Sequence, residues 1–570
     1  MSNTNDVPMM FRASINGRCQ LQYIDSNRSR NRDTESHIEK WVSEWTNEIS
    51  SGMPTLSRQQ SDTTQVDFQT NTYQIAWRFV SNSGTDPTII LPVIGARGFP
   101  YYPGSSMKGS FRQACNLVSP DRVAYYCGDR VHLSPGILRF HGGYPTSDAW
   151  TENLVDLAHP QQGWQVKNTD TSQKDGGAFV QISLHQPELR FGISSAIDLA
   201  QAEWQEIWRV WQIALSKGIG CRVSAGYGKP TVQPDLPLYK VTLRGQGVAS
   251  TLLDIDKTPE FRPNIFRAAL RGHALRIFGG LSDENIAESL VDQLFGGIHN
   301  GAVWGLLNMG FRETQTFDWE PHGYYKMPYY TVKGELTWLL TRSIDADKEK
   351  VLKSLVSYLM QFAMLLGGFG KSWRRIDHRD FYANEKYDKL IGCHWSWQRA
   401  IFSSNDPDVQ LQEVGKFIDR VQKVAENWMN LCGSAPNRNH PAGWREAWCR
   451  DRAQVWGRVA HTGDSLAIRW FHQGYDEVPR GKQFVPTKYL KGTAVAGFTG
   501  DRNNPTRIGR LWHRMYPVVE KTDWPDGRPR VIQTDKYLEL LTFFPDSSDE
   551  DSNQLSDYLN RSRSPFTRRW

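Results

Sequence analysis

The chain has 570 residues, 39% hydrophobic and 22% charged, with 67 Lys+Arg against 61 Asp+Glu. These proportions support a packed core and exclude global disorder; at roughly 150 residues per domain the length allows about four domains, or two large ones with insertions. A net charge of +6 excludes a histone-like polycation, and seven Cys with no Cys-x-x-Cys pair exclude a disulfide framework. No run of about 18 apolar residues exists to cross a membrane. Met1–Phe11 is polar and lacks the pattern of a secretory signal. The expected setting is a reducing cytoplasm, with no membrane partner.

The mild net charge hides a bias. With 23 Lys among the 67 cations, 44 are Arg, and they accompany 22 Trp, 21 Tyr and 25 Phe. Arg is the cation suited to planar, bidentate contact with phosphate and to stacking on bases. Cys393-His394, Cys432, His440 and Cys449 offer zinc-ligand types, but their spacing matches no zinc finger or ribbon. They read as scattered thiols and surface histidines.

In chain order, residues 1–65 are polar, with an amphipathic helical stretch over His37–Ile49. Tyr73–Val80 reads as a strand, Ser81–Pro87 as a turn, and Thr88–Ile94 as a strand, followed by a Gly-rich passage to Gly104. Helical periodicity begins near Met107. Gln161–Gly177 is a polar excursion, expected as a long surface loop or a projecting hairpin. Ala178–Ile193 alternates like a strand, and Ala200–Leu215 is an amphipathic helix ending at Lys217-Gly218, where glycine supplies a left-handed cap. A second cycle follows: Leu238–Val248 (strand), Asn264–Ile277 (helix), Leu336–Leu340 (strand), and Lys348–Leu366 (helix) ending at Gly367-Gly368. The repetition predicts an internal duplication. Val414–Leu431 is helical, and the acidic run Asp546–Asp551 precedes a basic tail, Arg561–Trp570, expected to be mobile. The predicted organisation is a polar segment (1–65), two α+β domains (66–236 and 237–545) and a charged tail (546–570).

Two motifs carry chemistry. In Gly98–Arg112, Pro103-Gly104 makes a tight turn, Ser105 or Ser106 can cap the following helix, and Lys108 and Arg112 lie four apart on one face. Such a helix start offers free N–H groups and partial positive charge to phosphate; an ordinary capped helix with exposed charges is the alternative. In Gly218–Gly228, the glycines at 218, 220, 226 and 228, with Arg222, Ser224 and Tyr227, allow a backbone to approach a phosphate chain closely. The alternative there is a glycine-rich turn closing a hairpin.

Together and in this order, the two motifs resemble the RAMP superfamily of CRISPR-associated proteins, in particular the backbone subunits of type III (Csm/Cmr-type) effector complexes. Ile137–Phe140, Tyr144-Pro145, Val155–Leu157 and His159-Pro160 look most like the terminal Cmr-type subunit. The second cycle also resembles a RAMP domain. Phe261–Arg271 stands for the basic helix start, with Arg267 and Arg271 four apart; Leu294–Gly296 follows; Gly367–Arg375, with Lys371, Arg374 and Arg375, stands for the glycine-rich loop. Asn264-Ile265 replaces the Ser-Ser pair, and the closing Gly-Tyr-Gly is missing, so this domain would grip RNA differently or hold a neighbouring subunit.

The resemblance implies two tandem modified ferredoxin-like (RRM-like) domains with large insertions. It implies a role in antiviral defence: binding the CRISPR RNA backbone and capturing target RNA beside other backbone subunits and a large polymerase-like subunit. Ser105, Ser106, Lys108, Arg112 and the Gly218–Tyr227 loop would contact RNA, as would Arg267, Arg271, Lys371, Arg374 and Arg375. An endonuclease subunit would use Asp86 with Mg²⁺ or another divalent cation. Asp254 and Asp256 are the equivalent candidates in the second domain. A CRISPR RNA-processing endonuclease would use a His near the N-terminus as general acid/base, which here is His37.

Overall fold

The computed structural model describes residues 42, 45–46, 67–82, 84–86, 89–95, 98–129, 131–158, 166–167, 179–231, 237–251, 259–297, 303–316, 321–322, 327–370, 381, 393–472, 474–480, 483–488, 510–523, 529–547 and 550–570. His37, Asp254, Asp256, Lys371, Arg374 and Arg375 lie outside them. The content is mixed α and β, as expected, and no helix among the described residues is long and apolar enough to cross a membrane.

The first unit runs β1 (Asp67–Gln74), α1 (Gly104–Val118), β2 (Leu138–Pro145), β3 (Glu188–Ser195) and α2 (Gln201–Ser216). Its antiparallel sheet has the order β1-β3-β2. Beyond β1, the Ala76 N–H donates to the Lys229 carbonyl and the Thr231 N–H to the Gln74 carbonyl, so residues 229–231 take the fourth place. Period-2 alternation fixes the faces: Leu189, Phe191 and Ile193 are buried, whereas Glu188 and Arg190 are exposed. Helix α2 covers the buried face with Trp204, Trp208 and Trp211; the Trp208 indole donates to Gln69 at 3.1 Å.

A small sheet beside this unit joins Gly84–Asp86, Ile89–Leu91, Phe179–Ile182 and Val155–Ala158 in that order. Part of the Ser81–Pro87 stretch expected as a turn is thus a strand. Ala178–Ile193 is not one strand either: it breaks at Gln186, whose φ is +44°.

The second unit repeats the element order, with one added helix: β4 (Tyr239–Val248), α3 (Asn264–Leu281), α4 (Glu284–Phe295), β5 (Leu307–Thr316), β6 (Met327–Leu340), α5 (Ala346–Phe362) and β7 (Cys393–Ser396). Its sheet order is β5-β6-β4-β7. Asp283 caps α4 by accepting from the Asn285 and Ile286 N–H groups, and Asp345 caps α5 through Lys348 N.

After α6 (Pro407–Leu431) the same order appears a third time: β8 (Gln454–His461), α7 (Leu466–His472), β9 (Arg510–Asp523), β10 (Pro529–Phe544), α8 (Glu550–Asn560) and β11 (Thr567–Arg568), with sheet order β9-β10-β8-β11. The basic stretch Arg561–Trp570, expected to be a mobile tail, belongs to this unit together with α8. Leu555, Leu559, Phe566 and Trp570 are buried, and Trp448 stacks between Trp512 and Trp570 at 5.7 and 5.6 Å. Charged neighbours masked four widely spaced core residues.

The first unit has its own core; the second unit's core runs into the third around Trp448, Trp512 and Trp570, while the third keeps a separate core with Trp456, Trp470 and Phe566. The first and second are locked by buried ions. Arg78 Nε donates to Glu260 at 2.7 Å, the Trp77 indole donates to the same carboxylate, and Arg262 bridges Glu260 and Asp156 at 2.8 and 3.2 Å. The polar excursion adds a second joint. Val166 is buried in the second unit's core, and Lys167 pairs with Glu288 and lies over Trp444.

Candidate nucleic-acid interface

The Pro-Gly-Ser-Ser stretch opens α1 as the spacing predicts, but the cap differs. Pro103, extended at φ −62° and ψ 143°, holds the cap position, no side chain caps the helix, and no acidic residue lies in its first turn. Ser105 and Ser106 are therefore exposed members of the first turn, beside N–H groups with no intrahelical partner. Gly104 is required by contact: a Cβ there would stand 2.1 Å from the Phe140 carbonyl oxygen, where β2 bulges between Phe140 and Gly142. Upstream, Tyr102 and Gly143 exchange N–H···O bonds of 2.8 and 2.9 Å, fixing the entry to the helix against β2. The indole of Trp45, from the polar N-terminal segment, donates to the Gly98 carbonyl at 2.8 Å and packs on Trp150.

Lys108 and Arg112 have different roles. Lys108 is half-buried and makes no hydrogen bond or ion pair among the described residues. Arg112 donates Nη2 to the Gly128 carbonyl at 2.9 Å, which ties it to the loop after Val123–Cys127. Of the two cations expected on one phosphate-reading face, Arg112 also serves the fold.

The glycine-rich loop is divided as well. Gly218, at φ +90°, ends α2 as expected. Gly220, Arg222 and Ser224 are exposed or half-exposed, and Arg222 adopts a left-handed φ of +57°. From Gly226 onward the loop is sealed. Gly226 faces the Met309 methyl of β5, and Tyr227, 1% exposed, donates its hydroxyl to Asp156 at 2.8 Å. Burial and the Asp156 charge push the Tyr227 hydroxyl far above its usual range. Tyr227 is thus a joint residue, not a surface for RNA. Glycine is needed at 228 because the Ile219 carbonyl oxygen would lie 1.9 Å from a Cβ. Buried Lys229 donates to the Lys217 carbonyl at 2.7 Å, closing the end of α2; burial and the charge of Lys217 hold its amine well below the ordinary value. Lys229 did not stand out in sequence, and Asp156 did so only within the Val155–Leu157 resemblance and not as a hub, because a hub is defined by partners distant along the chain.

In the second unit the expected basic pair turns inward. Arg267, 8% exposed, donates to the Phe295 carbonyl, and burial lowers its guanidinium to about 9. Arg271 pairs with Asp292 at 2.7 Å. Both hold α4 against α3, so the four-residue spacing that suggested a phosphate grip here serves helix packing. Asp86 ends the strand Gly84–Asp86, its backbone opposite Ile89. Among the described residues no three His, Cys, Asp or Glu side chains form a group able to hold a metal ion.

In the third unit Ser465 caps the helix start by accepting from the Ile468 N–H at 3.2 Å, and a carboxylate meets the other free N–H groups. Glu539 on β10 is fully buried and receives the Ala467 N–H at 3.1 Å, the Leu466 N–H at 3.3 Å and the Ser465 hydroxyl at 2.7 Å, while Arg458 pairs with it at 2.5 Å. Helix N–H groups, a serine hydroxyl and a cation surround one oxyanion. Burial alone would raise this carboxyl; the His513 hydrogen bond, with His513, Arg458 and Ser465 acting together, holds it near 2.

No protein-family model matches the chain, and no curated protein matches it. Solved structures do. One is a chain of the type III-B Cmr-beta complex bound to cognate target RNA, 17% identical over 29% of this chain and 58% of that one, with a TM-score of 0.22. Another is Cmr6 from Pyrococcus furiosus, 14% identical over 29% of this chain and 97% of that one, with a TM-score of 0.20. The chain therefore spans about 58% of the first of these, and both likenesses cover under a third of its own length.

Proposed function

We propose that this chain is a subunit of a type III CRISPR RNA-guided effector complex, in which its first unit holds the CRISPR RNA backbone and helps capture target RNA. The observation that carries the reading is the start of α1: an uncapped first turn with exposed Ser105 and Ser106, no acidic residue, and Lys108 one turn along. Backbone phosphates suit that arrangement, and guide sequences vary, so recognition has to rest on phosphate and shape. The recurring β-α-β-β-α-β order, with the first strand between the third and the fourth, supports modified ferredoxin-like units, three in place of the two expected. The second and third units, with their shared core, serve as scaffold toward other subunits.

The test is to purify the chain with the complex it enters and sequence the small RNAs retained. Guide-length RNA is expected with the wild type and little with Lys108→Glu. Equal retention by both would reject the role of this helix start. In the same preparation, loss of one target-cleavage product with Asp86→Ala would add the endonuclease role to the binding one.

A further inference from the structure

The first sheet has two faces, and only one is covered by its helices. Helix α2 packs on the face carrying Leu189, Phe191 and Ile193. On the opposite face Thr70 and Thr72 of β1, Arg139 and His141 of β2, and Arg190 of β3 are exposed. Flat aromatic rings are built into this surface. Phe68 meets His141 edge-on at 5.3 Å, over Gly192, where a Cβ would come within 3.1 Å of the Phe68 ring. His141 is oriented by Ser194, 2.8 Å from Nε2. Tyr101 and Tyr144 stack at 5.3 Å with only 9° between their planes.

Register places Arg190 between Thr72 and Tyr144, and it makes no ion pair among the described residues. The acid of this face, Glu188, accepts a hydrogen bond from Thr146 at its margin. The Tyr102–Gly143 pairing extends the sheet past β2, so Tyr101 lies on this surface two residues before Pro103, where α1 is about to begin.

We infer that this face is a stacking platform for single-stranded RNA, which carries the strand onward from the start of α1. The inference rests on the RNA-holding reading of that helix start. Half-buried rings at a surface stack on unpaired bases of any sequence, Arg190 lies between them to meet the backbone, and exposed threonine hydroxyls keep the surface wet. A protein partner would call for aliphatic side chains in the middle of the face, and it has none among its described residues. The second sheet provides the contrast: on its equivalent face the cations are paired across strands, Lys240 and Arg312 both to Glu335.

The test uses the full chain, a 20-nucleotide 4-thiouridine RNA and a blunt RNA duplex of the same length. Tyr101→Ala combined with Arg190→Ala is expected to weaken single-strand binding about tenfold, at the low end of stacking plus one phosphate contact. Duplex binding and the melting curve are expected to stay unchanged, and wild-type cross-links to fall on Tyr101, Tyr144, His141 or Phe68. Unchanged single-strand affinity, an equal loss for the duplex, or cross-links confined to other residues would overturn the platform. Lys108→Glu separates the two ideas: if it leaves affinity intact while the double variant loses it, the helix-start reading fails and the platform stands. The reverse result removes the platform alone.

Discussion

The three units share one strand order and differ in what meets the helix after the first strand. In the first, that helix starts uncapped, with Lys108 unpaired among the described residues. In the second, Pro263 again precedes the helix, but its cations are taken by Asp292 and the Phe295 carbonyl. In the third, the Glu539 carboxylate occupies the helix start. A basic helix start is therefore not a binding site by composition. It becomes one where the rest of the chain supplies no acceptor. The added helix α4 supplies acceptors in the second unit, and β10 supplies one in the third.

The comparison presumes that the first and second units are held as one piece, so its largest test breaks the joint. Glu260→Ala removes the carboxylate paired with Arg78, whose side chain is 0% exposed, and with it the acceptor of the Trp77 indole and one of the two carboxylates that hold Arg262. Removing one member of a buried ion pair costs about 3–5 kcal/mol. Urea unfolding at neutral pH is expected to show that loss, with the transition attributed to the first unit moving earliest. A next, smaller effect concerns Glu539. Its carboxyl lies near 2 in the fold against an ordinary 4.5, so its contribution is complete above the ordinary value and is lost as pH falls through about 2. Glu539→Gln is expected to cost roughly 3 kcal/mol at pH 7 and to flatten the acid side of the stability–pH curve. An acid limb identical to wild type would mean that the carboxylate is not what fills the helix start.

What sequence reasoning reached and missed follows the same line. The amphipathic helix with Trp204 to Trp211 and the repeated element order of the first unit are patterns along the sequence, and each appears in the fold; the turn expected at Pro103-Gly104 is instead an extended Pro103 leading straight into the helix. The direction of a cation is not local. Arg267 and Arg271 have the spacing of Lys108 and Arg112, and nothing within the helix reveals that Asp292 and Phe295 wait two dozen residues on. Tyr227 looked like an aromatic beside a phosphate loop because its acceptor, Asp156, lies 71 residues earlier. The third unit escaped because its β8 and β10 pair across some eighty residues and its last strand, Thr567–Arg568, is two residues long inside a basic stretch.

The smallest stability effects discriminate best between the first and second units. Arg271→Ala leaves Asp292 without its partner in a setting where the two side chains are 14% and 12% exposed. A hydrogen bond between charged groups in such a place is worth about 1.5–3 kcal/mol. Thermal melting is expected to show a loss of that size, with RNA affinity and its salt dependence unchanged. Lys108→Ala should do the opposite. It removes no hydrogen bond or ion pair among the described residues, so the melting curve is expected to stay nearly in place. If the ammonium meets a phosphate, one counterion-releasing contact is lost, and the slope of log affinity against log salt becomes shallower by about 1. Running both variants in one salt titration makes the comparison sharp. A slope change in Arg271→Ala without a melting shift would put the second unit's helix on the RNA, and an unchanged slope in Lys108→Ala would take the first unit's helix off it.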